Sequence, residues 1–344
     1  MRTIESKDNP LFKTLFSLKR PSLAKKQQLA LIEGPRHISD MFKAGIVPEY
    51  LFFADDEKGR ALQQILCEDI DLGDRVILLS PALFSQVSQQ TSAQGVLAMT
   101  KLYEVTWDTW IRKIDQAEEL LRVLILESVQ DPGNVGTLIR SADALGFCAV
   151  LLAGDTASLY NPKTLQAAMG SQFHLDVIDV TIGIEECLKQ LQDKAFMTIG
   201  AALKGISVED FHFGPSSAIV LGNEGNGLSE QALEGVDHLV TIPMAGAAES
   251  LNVSAAGTIL MCSRAMANCS SRPARFSSLS AACSRSRVTR ASLAAILTVV
   301  MPVSSSSAGP GTVSGEQPAS RAAAALAPAS WCLQRATSSP TPTS

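Results

Sequence analysis

The sequence predicts an α/β protein built on a mostly parallel β-sheet. Short apolar runs alternate with amphipathic segments over residues 29–261, as in strands that are joined by crossover helices. The run at 123–126 is apolar at every position, which is typical of a strand that is buried on both faces of a sheet. Polar strings follow some of these runs, at the place where open α/β folds bind their ligands.

The first hundred residues form the smaller of two predicted α/β units. Pro35 and the pair Ser80-Pro81 mark helix starts, since Pro has the φ angle of a first turn and Ser is a favourable cap. The predicted strands lie at 29–32, 50–53, 76–79 and 95–99, and the predicted helices at 35–43, at 60–67 and from 81. The basic residues before position 30 indicate either a solvated helix face or an arm that contacts phosphates, and this segment alone favours the solvated face.

From residue 121 the alternation strengthens and predicts the main sheet. The predicted strands lie at 123–126, 149–152, 175–180, 197–201, 217–221 and 239–242, and the predicted helices at 134–145, 165–169, 184–191, 230–233 and 250–261. Between the two units, residues 106–119 are polar and contain two Trp. We therefore expect domains at 1–105 and 121–262, joined by a linker at 106–120.

Residues 263–344 differ from the rest of the chain. They contain no Lys and no Asp, Glu316 is their only acid, and Ser, Ala, Arg, Pro and Thr dominate. Such a segment buries too little apolar surface to offset chain entropy. Three interpretations remain: a disordered tail, a basic tail whose eight Arg bind RNA, or translation of a shifted reading frame. The abrupt change inside a helical pattern favours the third.

Bulk composition leaves the type of partner open but favours the cytoplasm. A net charge of −5 over 344 residues neither requires nor excludes nucleic acid, because a basic face can lie on an acidic protein. The N-terminus lacks the apolar core of a signal peptide, no apolar run is long enough to span a bilayer, and the seven Cys show no metal-ligand spacing. We expect a cytoplasmic protein with free thiols, no membrane segment and no metal.

Three polar strings are the most informative feature of the chain. The first, DPGNVG at 131–136, continues to Arg140; the second, LGNEGNGL, covers 221–228; the third opens with IPM at 242–244 and closes with SLNVS at 250–254. They offer bare backbone and neutral hydrogen-bonding groups rather than a set of metal ligands. Because each follows a strand of one predicted sheet, together they indicate a binding site at the strand ends.

Each string also has a purely structural interpretation. Asn134, Ser250 and Asn252 suit helix caps. Arg140 suits a surface salt bridge, although Arg also grips phosphates with two parallel hydrogen bonds. Glu224 is harder to explain as a turn residue, because a carboxylate just past a buried strand is costly without a partner.

The glycines of the second string do not form a nucleotide-binding fingerprint. Gly222, Gly225 and Gly227 have the spacing G-x-x-G-x-G, whereas the dinucleotide motif is G-x-G-x-x-G in the first strand-turn-helix of a sheet. A phosphate loop needs a Lys after its last Gly, and Leu228 stands there instead. This pattern opposes a small-molecule enzyme that uses a nicotinamide or a nucleoside triphosphate.

In order and spacing, the three strings resemble the signature motifs of the SpoU (TrmH-like) RNA 2′-O-ribose methyltransferases of the SPOUT superfamily. The first hundred residues resemble the L30e-like substrate-binding domain of that family, through the runs EGPR at 33–36 and QGVLA at 94–98. The resemblance implies a trefoil-knotted catalytic domain, S-adenosylmethionine as the methyl donor and a homodimer. The departure from the family pattern begins after Met261, within the last helix.

The resemblance also implies roles for individual residues in methyl transfer to a ribose 2′-hydroxyl of RNA. The polar active-site positions that it matches are Asn134, Arg140, Glu224, Ser250 and Asn252. The cofactor positions that it matches are Gly222, Asn223, Ile242, Met244 and Leu251. Arg140 would hold the adjacent phosphate and ease loss of the hydroxyl proton near the moment of attack, while Glu224 would position the groups that orient the ribose.

Two questions about the partner stay open in the sequence. Ribosomal RNA of the 23S type is the predicted substrate, because of the L30e-like domain, and tRNA is the alternative. A non-catalytic RNA-binding protein is the second class considered, and the presence of Arg140 and Asn252 opposes it.

Overall fold

The protein contains two β-sheets, which are built from consecutive parts of the sequence. The structure, a computed structural model, describes residues 2–68, 72–90, 93–102, 105–116, 120–246 and 249–267. Strands alternate with helices along most of the chain, and the predicted α/β class is confirmed. Every helix in this described part of the chain is too short or too polar to cross a bilayer.

The first sheet is mixed and has five strands: β1 (Arg2–Ile4), β2 (Leu29–Glu33), β3 (Tyr50–Ala54), β4 (Val76–Leu79) and β5 (Val96–Lys101). Their order is β1-β4-β3-β5-β2, and β5 runs antiparallel to both of its neighbours. The helices of this unit are α1 (Pro10–Ser17), α2 (Pro21–Gln27), α3 (Pro35–Lys43), α4 (Glu57–Leu66) and α5 (Pro81–Val87). The four predicted strands are all present.

The N-terminal segment forms a strand and two helices that contribute to the first core. β1 pairs in parallel with β4, and α1 buries Phe12 and Leu15 among the core residues of the first sheet. The basic residues lie on the outer sides of these elements, since Lys7, Lys13 and Lys26 are exposed. Exposed lysines are compatible with both predicted interpretations, whereas the apolar side of these elements was not predicted.

The second sheet has six strands: β6 (Arg122–Glu127), β7 (Ala149–Ala153), β8 (Asp176–Asp179), β9 (Met197–Ser207), β10 (Ser217–Leu221) and β11 (His238–Thr241). Their order is β11-β9-β10-β6-β7-β8, and every neighbouring pair is parallel. The helices are α6 (Trp107–Lys113), α7 (Pro132–Ala144), α8 (Pro162–Ala168), α9 (Ile184–Asp193), α10 (Glu230–Gly235) and α11 (Val253–Ala267). All carboxyl ends therefore lie along one edge.

β6 shows why the central strands are apolar at every position. Val123 and Ile125 pack into the apolar core on one face of the sheet, whereas Leu124 and Leu126 pack into the core on the other face. All four side chains are 0% exposed. The alternation places apolar side chains on both faces, as expected for a sheet that helices cover on both sides.

The segment interpreted as a linker contributes to the second core. It forms α6, in which Trp107 and Trp110 are each 2% exposed and pack with the second sheet. The two indoles lie 5.8 Å apart between ring centroids. A bridge between domains is therefore an incomplete description of residues 106–116, because the tryptophans cover one face of the sheet.

The last helix extends past its predicted end. α11 begins at Val253 rather than at residue 250 and continues to Ala267, so the first residues that we assigned to the tail are helical. Arg264 is fully buried and donates a hydrogen bond from Nε to Ser217 Oγ of β10 at 2.5 Å. This contact attaches the end of the helix to the sheet. The rest of the predicted tail lies outside the described residues.

Helices α7 and α8 approach each other closely at Gly136. A Cβ atom at this position would lie 2.4 Å from the Thr164 carbonyl oxygen and 2.6 Å from Ala167 Cβ. Both distances are far inside van der Waals contact, so only Gly allows this spacing.

We expect Gly136→Ala to lower the free energy of unfolding by about 1–3 kcal/mol, because overpacking must separate the two helices. Urea unfolding of the full chain measures the effect. Gly183→Ala is the matched control, since a Cβ atom there meets nothing within 4 Å. A loss as large in Gly183→Ala as in Gly136→Ala would contradict the steric explanation.

Candidate active site

Two of the three polar strings lie side by side because their strands are neighbours. β6 and β10 pair in register, with Leu126 opposite Leu221, so the loops that follow them start together. Glu224, in the second loop, accepts hydrogen bonds from the backbone N–H groups of Gln130 and Asp131, each at 3.2 Å. It also accepts one from Asn134 Nδ2 at 3.0 Å. The carboxylate therefore has the partners that its position required.

Asn134 is not a helix cap. α7 begins at Pro132, and Asp131 is its N-cap, because Asp131 Oδ1 accepts from the Asn134 backbone N–H at 3.0 Å. The amide of Asn134 is thus left for tertiary contacts. Its Nδ2 atom donates to Glu224, and its Oδ1 atom accepts from Asn252 Nδ2 at 3.2 Å.

Asn252 brings the third string into the same cluster. It precedes α11, and its Oδ1 atom accepts from the backbone N–H of Ser254 at 2.9 Å, so the predicted capping role is present. The other end of the same amide donates to Asn134. Asn134, Glu224 and Asn252 therefore form one hydrogen-bonded network at the carboxyl edge of the second sheet, which we call the amide network.

The donors around Glu224 also favour its charged form. Partial burial is the largest single influence on the pKa of Glu224 and raises it, but hydrogen bonds from Asn134 and from backbone N–H groups together hold the pKa below its ordinary value. The pKa of Asp131 is also lowered, first by the hydrogen bond from Lys163 and then by the backbone N–H of Asn134. Both carboxylates are ionised at neutral pH.

Gly222 and Asn223 shape the turn that carries Glu224. Asn223 and Gly227 exchange two backbone hydrogen bonds of 2.9 Å, which closes the turn. A Cβ atom at Gly222 would lie 2.3 Å from the Gly227 carbonyl carbon and oxygen, so the turn folds directly over bare backbone. Asn223 Nδ2 donates to the Ser128 carbonyl at 2.9 Å and ties the turn to the end of β6.

The remaining predicted cofactor residues are apolar and line the loop after β11. Ile242 is partly buried against the core, whereas Met244 is 38% and Leu251 is 39% exposed. Exposed apolar side chains of this size suit a ligand with a flat apolar face. These residues could hold a nucleoside together with Gly222 and Asn223.

Two predicted residues lie outside the amide network. Arg140 is exposed on α7, about 9 Å along the helix axis from Asn134 at the usual rise per residue. Ser250 is exposed two positions before the cap of α11. Within the described part of the chain, neither side chain is hydrogen-bonded to the network.

The structure adds residues that sequence reasoning missed. Asp131 stands inside the first string, and its position before Pro132 is a recognisable cap signal. Lys163 forms an ion pair with Asp131, with 3.0 Å between Nζ and Oδ2, and no local pattern could reveal a partner 32 positions away. Glu127 is buried at the end of β6 and accepts from the backbone N–H and the hydroxyl of Ser229, which caps α10.

Among the described residues, no group of three His, Cys, Asp or Glu side chains is arranged to hold an ion. Burial raises the pKa of Cys148 to about 11 and that of Cys187 to about 12, which keeps both thiols protonated.

Comparison with known proteins places the chain in a family. A model of the SpoU rRNA methylase family matches residues 121–262, and a model of an MRM3-like substrate-binding domain matches residues 9–98. The Bacillus subtilis 23S rRNA (guanosine(2553)-2′-O)-methyltransferase RlmP is 34% identical over 263 residues, which cover 76% of this chain and 98% of that protein. The 23S rRNA (guanosine-2′-O-)-methyltransferase RlmB of Photobacterium profundum is 32% identical over 215 residues, 61% of this chain and 86% of that one.

Solved structures agree with these matches. The SpoU methyltransferase AviRb of Streptomyces viridochromogenes, in complex with S-adenosylmethionine, superposes with a TM-score of 0.65 at 27% identity, over 76% of this chain and 100% of that chain. An RNA 2′-O-ribose methyltransferase structure gives a TM-score of 0.64 at 27% identity, over 78% of this chain and 100% of that chain. The fold and site define an RNA ribose methyltransferase. The chain belongs to the SpoU rRNA methylase family, as the three strings predicted.

We expect Glu224→Gln to lower the stability of the protein at neutral pH, because a neutral amide oxygen is a weaker acceptor and its NH₂ group would face N–H donors. The loss should be about 1 kcal/mol. The folded pKa of Glu224 is lowered, so its contribution is complete above the ordinary value of 4.5 and disappears as the pH falls through the lowered value.

Urea unfolding between pH 3 and pH 7 is the measurement, with the exposed Glu234→Gln as the control. The difference between wild type and Glu224→Gln should therefore narrow towards acid pH. A difference independent of pH would show that the carboxylate charge is not what holds the two loops.

Proposed function

We propose that this protein transfers a methyl group from S-adenosylmethionine to a ribose 2′-hydroxyl of RNA. The observation that carries the proposal is the amide network, in which one residue from each string meets the others at the carboxyl edge of the sheet. It presents neutral donors and acceptors beside a fixed carboxylate, which suits the recognition of a ribose. The names of RlmP and RlmB support 23S-type ribosomal RNA as the substrate class, with tRNA as the alternative.

The cofactor residues fit S-adenosylmethionine in chemistry. Gly222 and Asn223 offer backbone groups in a turn, while Ile242, Met244 and Leu251 offer apolar side chains in the loop after β11. An adenosine has a flat face for the apolar side chains and ring nitrogens for the backbone groups. The cofactor, when bound there, supplies an electrophilic methyl group.

The polar residues would prepare the ribose. Each amide of the network keeps hydrogen-bonding capacity, since Asn134 uses one N–H of its NH₂ group on Glu224 and Asn252 uses one N–H on Asn134. The hydroxyl of Ser250, two positions before Asn252 in the chain, is exposed. Glu224 holds the Asn134 amide in one orientation, so the amides would meet the ribose hydroxyls with little reorganisation.

Arg140 would act on the phosphate next to the target ribose. A 2′-hydroxyl is a weak nucleophile that must lose its proton near the moment of attack, and a bound guanidinium would lower the cost of the developing negative charge. Because Arg140 lies outside the amide network of its own chain, we place it in the site of a second copy. The proposal therefore includes a homodimer in which the partner's Arg140 completes the site.

The path of the chain after β11 supports a knotted arrangement. β11 is at the edge of the sheet, yet Asn252, eleven positions after its end, hydrogen-bonds to Asn134 at the start of α7. α11 then packs on α7, where Thr258 Oγ1 donates to Ser141 Oγ at 3.0 Å. The trefoil knot, the L30e-like character of the first unit and the domain boundaries belong to this proposal. A protein that acts on ribosomal RNA would work in the cytoplasm.

Titration calorimetry with S-adenosylmethionine tests the cofactor site. We expect wild type to bind and Gly222→Ala to lose at least tenfold in affinity, because the new Cβ atom displaces the turn backbone. Gly225→Ala is the control, since its Cβ atom would meet only Asn223 Oδ1, at 3.5 Å. A folded wild type that does not bind would remove the methyltransferase proposal.

Transfer of labelled methyl groups to unmodified ribosomal RNA tests the role of Arg140. We expect Arg140→Ala to lower transfer by at least a hundredfold, about 3 kcal/mol, while cofactor affinity stays within twofold. Arg112→Ala is the control, because Arg112 is exposed on α6, which covers the other face of the sheet. Normal transfer by Arg140→Ala would refute the assigned role.

A further inference from the structure

Helix α8 lies between the first unit and the amide network. Leu165 packs into the core of the first sheet, whereas Thr164 and Ala167 contact α7 at Gly136. A small cavity separates the start of α8 from the first sheet, and its lining includes Glu33 and Gln90 on one side and Pro162 on the other. The first turn of α8 therefore lies between the first unit and the amide network.

Lys163 is the basic side chain of this turn. Its Nζ atom lies 3.0 Å from Asp131 Oδ2, and the side chain is 62% exposed. The stem runs over Gly133, where a Cβ atom would be 3.3 Å from Lys163 Cε. In the described part of the chain, Asp131 is the one acceptor recorded for this ammonium group, which has three N–H donors. Two donors are therefore directed towards solvent.

Asp131 connects Lys163 to the amide network. The backbone N–H of Asp131 donates to Glu224 Oε1, and Asp131 Oδ1 caps the helix at Asn134. Two carboxylates, Asp131 and Glu224, are therefore close to the place where we expect the ribose. Their charge opposes the approach of a polyanion, and a cation at the rim offsets that repulsion.

We infer that Lys163 binds an RNA phosphate beside the target nucleotide, on the side of the first unit. This inference rests on the proposed function and extends it to a residue outside the three strings. Lys163 is a positioning residue: it contacts neither the ribose nor the cofactor, and it sets the register of the RNA backbone at the entrance of the site. One ammonium N–H stays on Asp131 while another binds the phosphate oxygen.

A structural role predicts a different result from the same residue. If Lys163 only supported the cap of α7, replacing it would change RNA binding only because its ion pair with Asp131 is lost. Asp131→Asn separates the two roles, because Asn is as good an N-cap as Asp but has no charge to pair with Lys163. If Lys163 binds a phosphate, Lys163→Gln should still weaken RNA binding in the Asp131→Asn background. If Lys163 only supports the cap, the substitution should have no effect there.

The experiment uses the full chain and full-length 23S ribosomal RNA transcribed in vitro without modifications. RNA affinity is measured by filter binding at several KCl concentrations, and methyl transfer gives KM and kcat. We expect Lys163→Gln to weaken RNA binding and raise KM about five- to tenfold, with kcat and cofactor affinity within twofold. The slope of log affinity against log salt should fall in magnitude by about 0.7–0.9, as for one lost phosphate contact.

Two variants serve as controls. Lys163→Arg keeps the charge and should restore RNA affinity to within twofold of wild type. Lys194→Gln removes a lysine that is also paired with an aspartate, Asp115 at 2.5 Å, but lies just before β9 at the opposite edge of the sheet. It should leave the salt slope unchanged.

An unchanged salt slope in Lys163→Gln would overturn the inference, as would an effect that vanishes in the Asp131→Asn background. The proposed function fails separately, if wild type binds the RNA but transfers no methyl group. In that case the binding comparison alone still decides the role of Lys163. Wild type that does not bind the RNA would overturn both.

Discussion

The carboxylate of Glu224 joins the loop that follows β6 to the loop that follows β10. β6 and β10 are adjacent and parallel, so the chain leaves both strands at the same edge. The first loop turns into α7 and presents the N–H groups of Gln130 and Asp131, which need an acceptor at a helix start. A charged acceptor binds such donors more strongly than a neutral one, so the two loops hold one arrangement.

The orientation of the amides follows from this contact. Glu224 takes one N–H of Asn134, which leaves the carbonyl oxygen of Asn134 directed towards Asn252. The carbonyl oxygen of Asn252 accepts a hydrogen bond from Ser254 at the start of α11, so its NH₂ group is the end that donates to Asn134. Each hydrogen bond thus fixes the orientation of the next side chain. Asn252 therefore caps α11 with one end of its amide and belongs to the proposed site with the other end.

The strands were predictable from the sequence because burial on both faces demands apolar residues at every position. β10 and β4 have the predicted bounds for this reason. β1 was not predicted, since three residues have no periodicity of their own and depend on pairing with β4. The end of α11 was also missed, because the burial of Arg264 depends on Ser217, which lies 47 positions earlier in the chain.

The site was likewise predictable only in part. The strings marked loops that meet in the structure, and Glu224 has hydrogen-bond partners, but the choice between cap and tertiary contact could not be made locally. Asn134, Ser250 and Asn252 looked alike as cap candidates, and only Asn252 has that role in the structure. Asp131 caps α7 instead, which releases Asn134. The catalytic and cofactor roles of these residues stay predictions.

The distribution of charge meets two opposite demands of the proposed reaction. S-adenosylmethionine carries a positive sulfonium, which carboxylates favour, whereas RNA carries phosphates, which carboxylates repel. Glu224 lies between two loops, and its charge is balanced by N–H donors rather than by a cation. The cations Lys163 and Arg140 are exposed on α8 and α7, outside the amide network. In the proposed reaction the carboxylates would attract the cofactor, and the exposed cations would attract the RNA backbone.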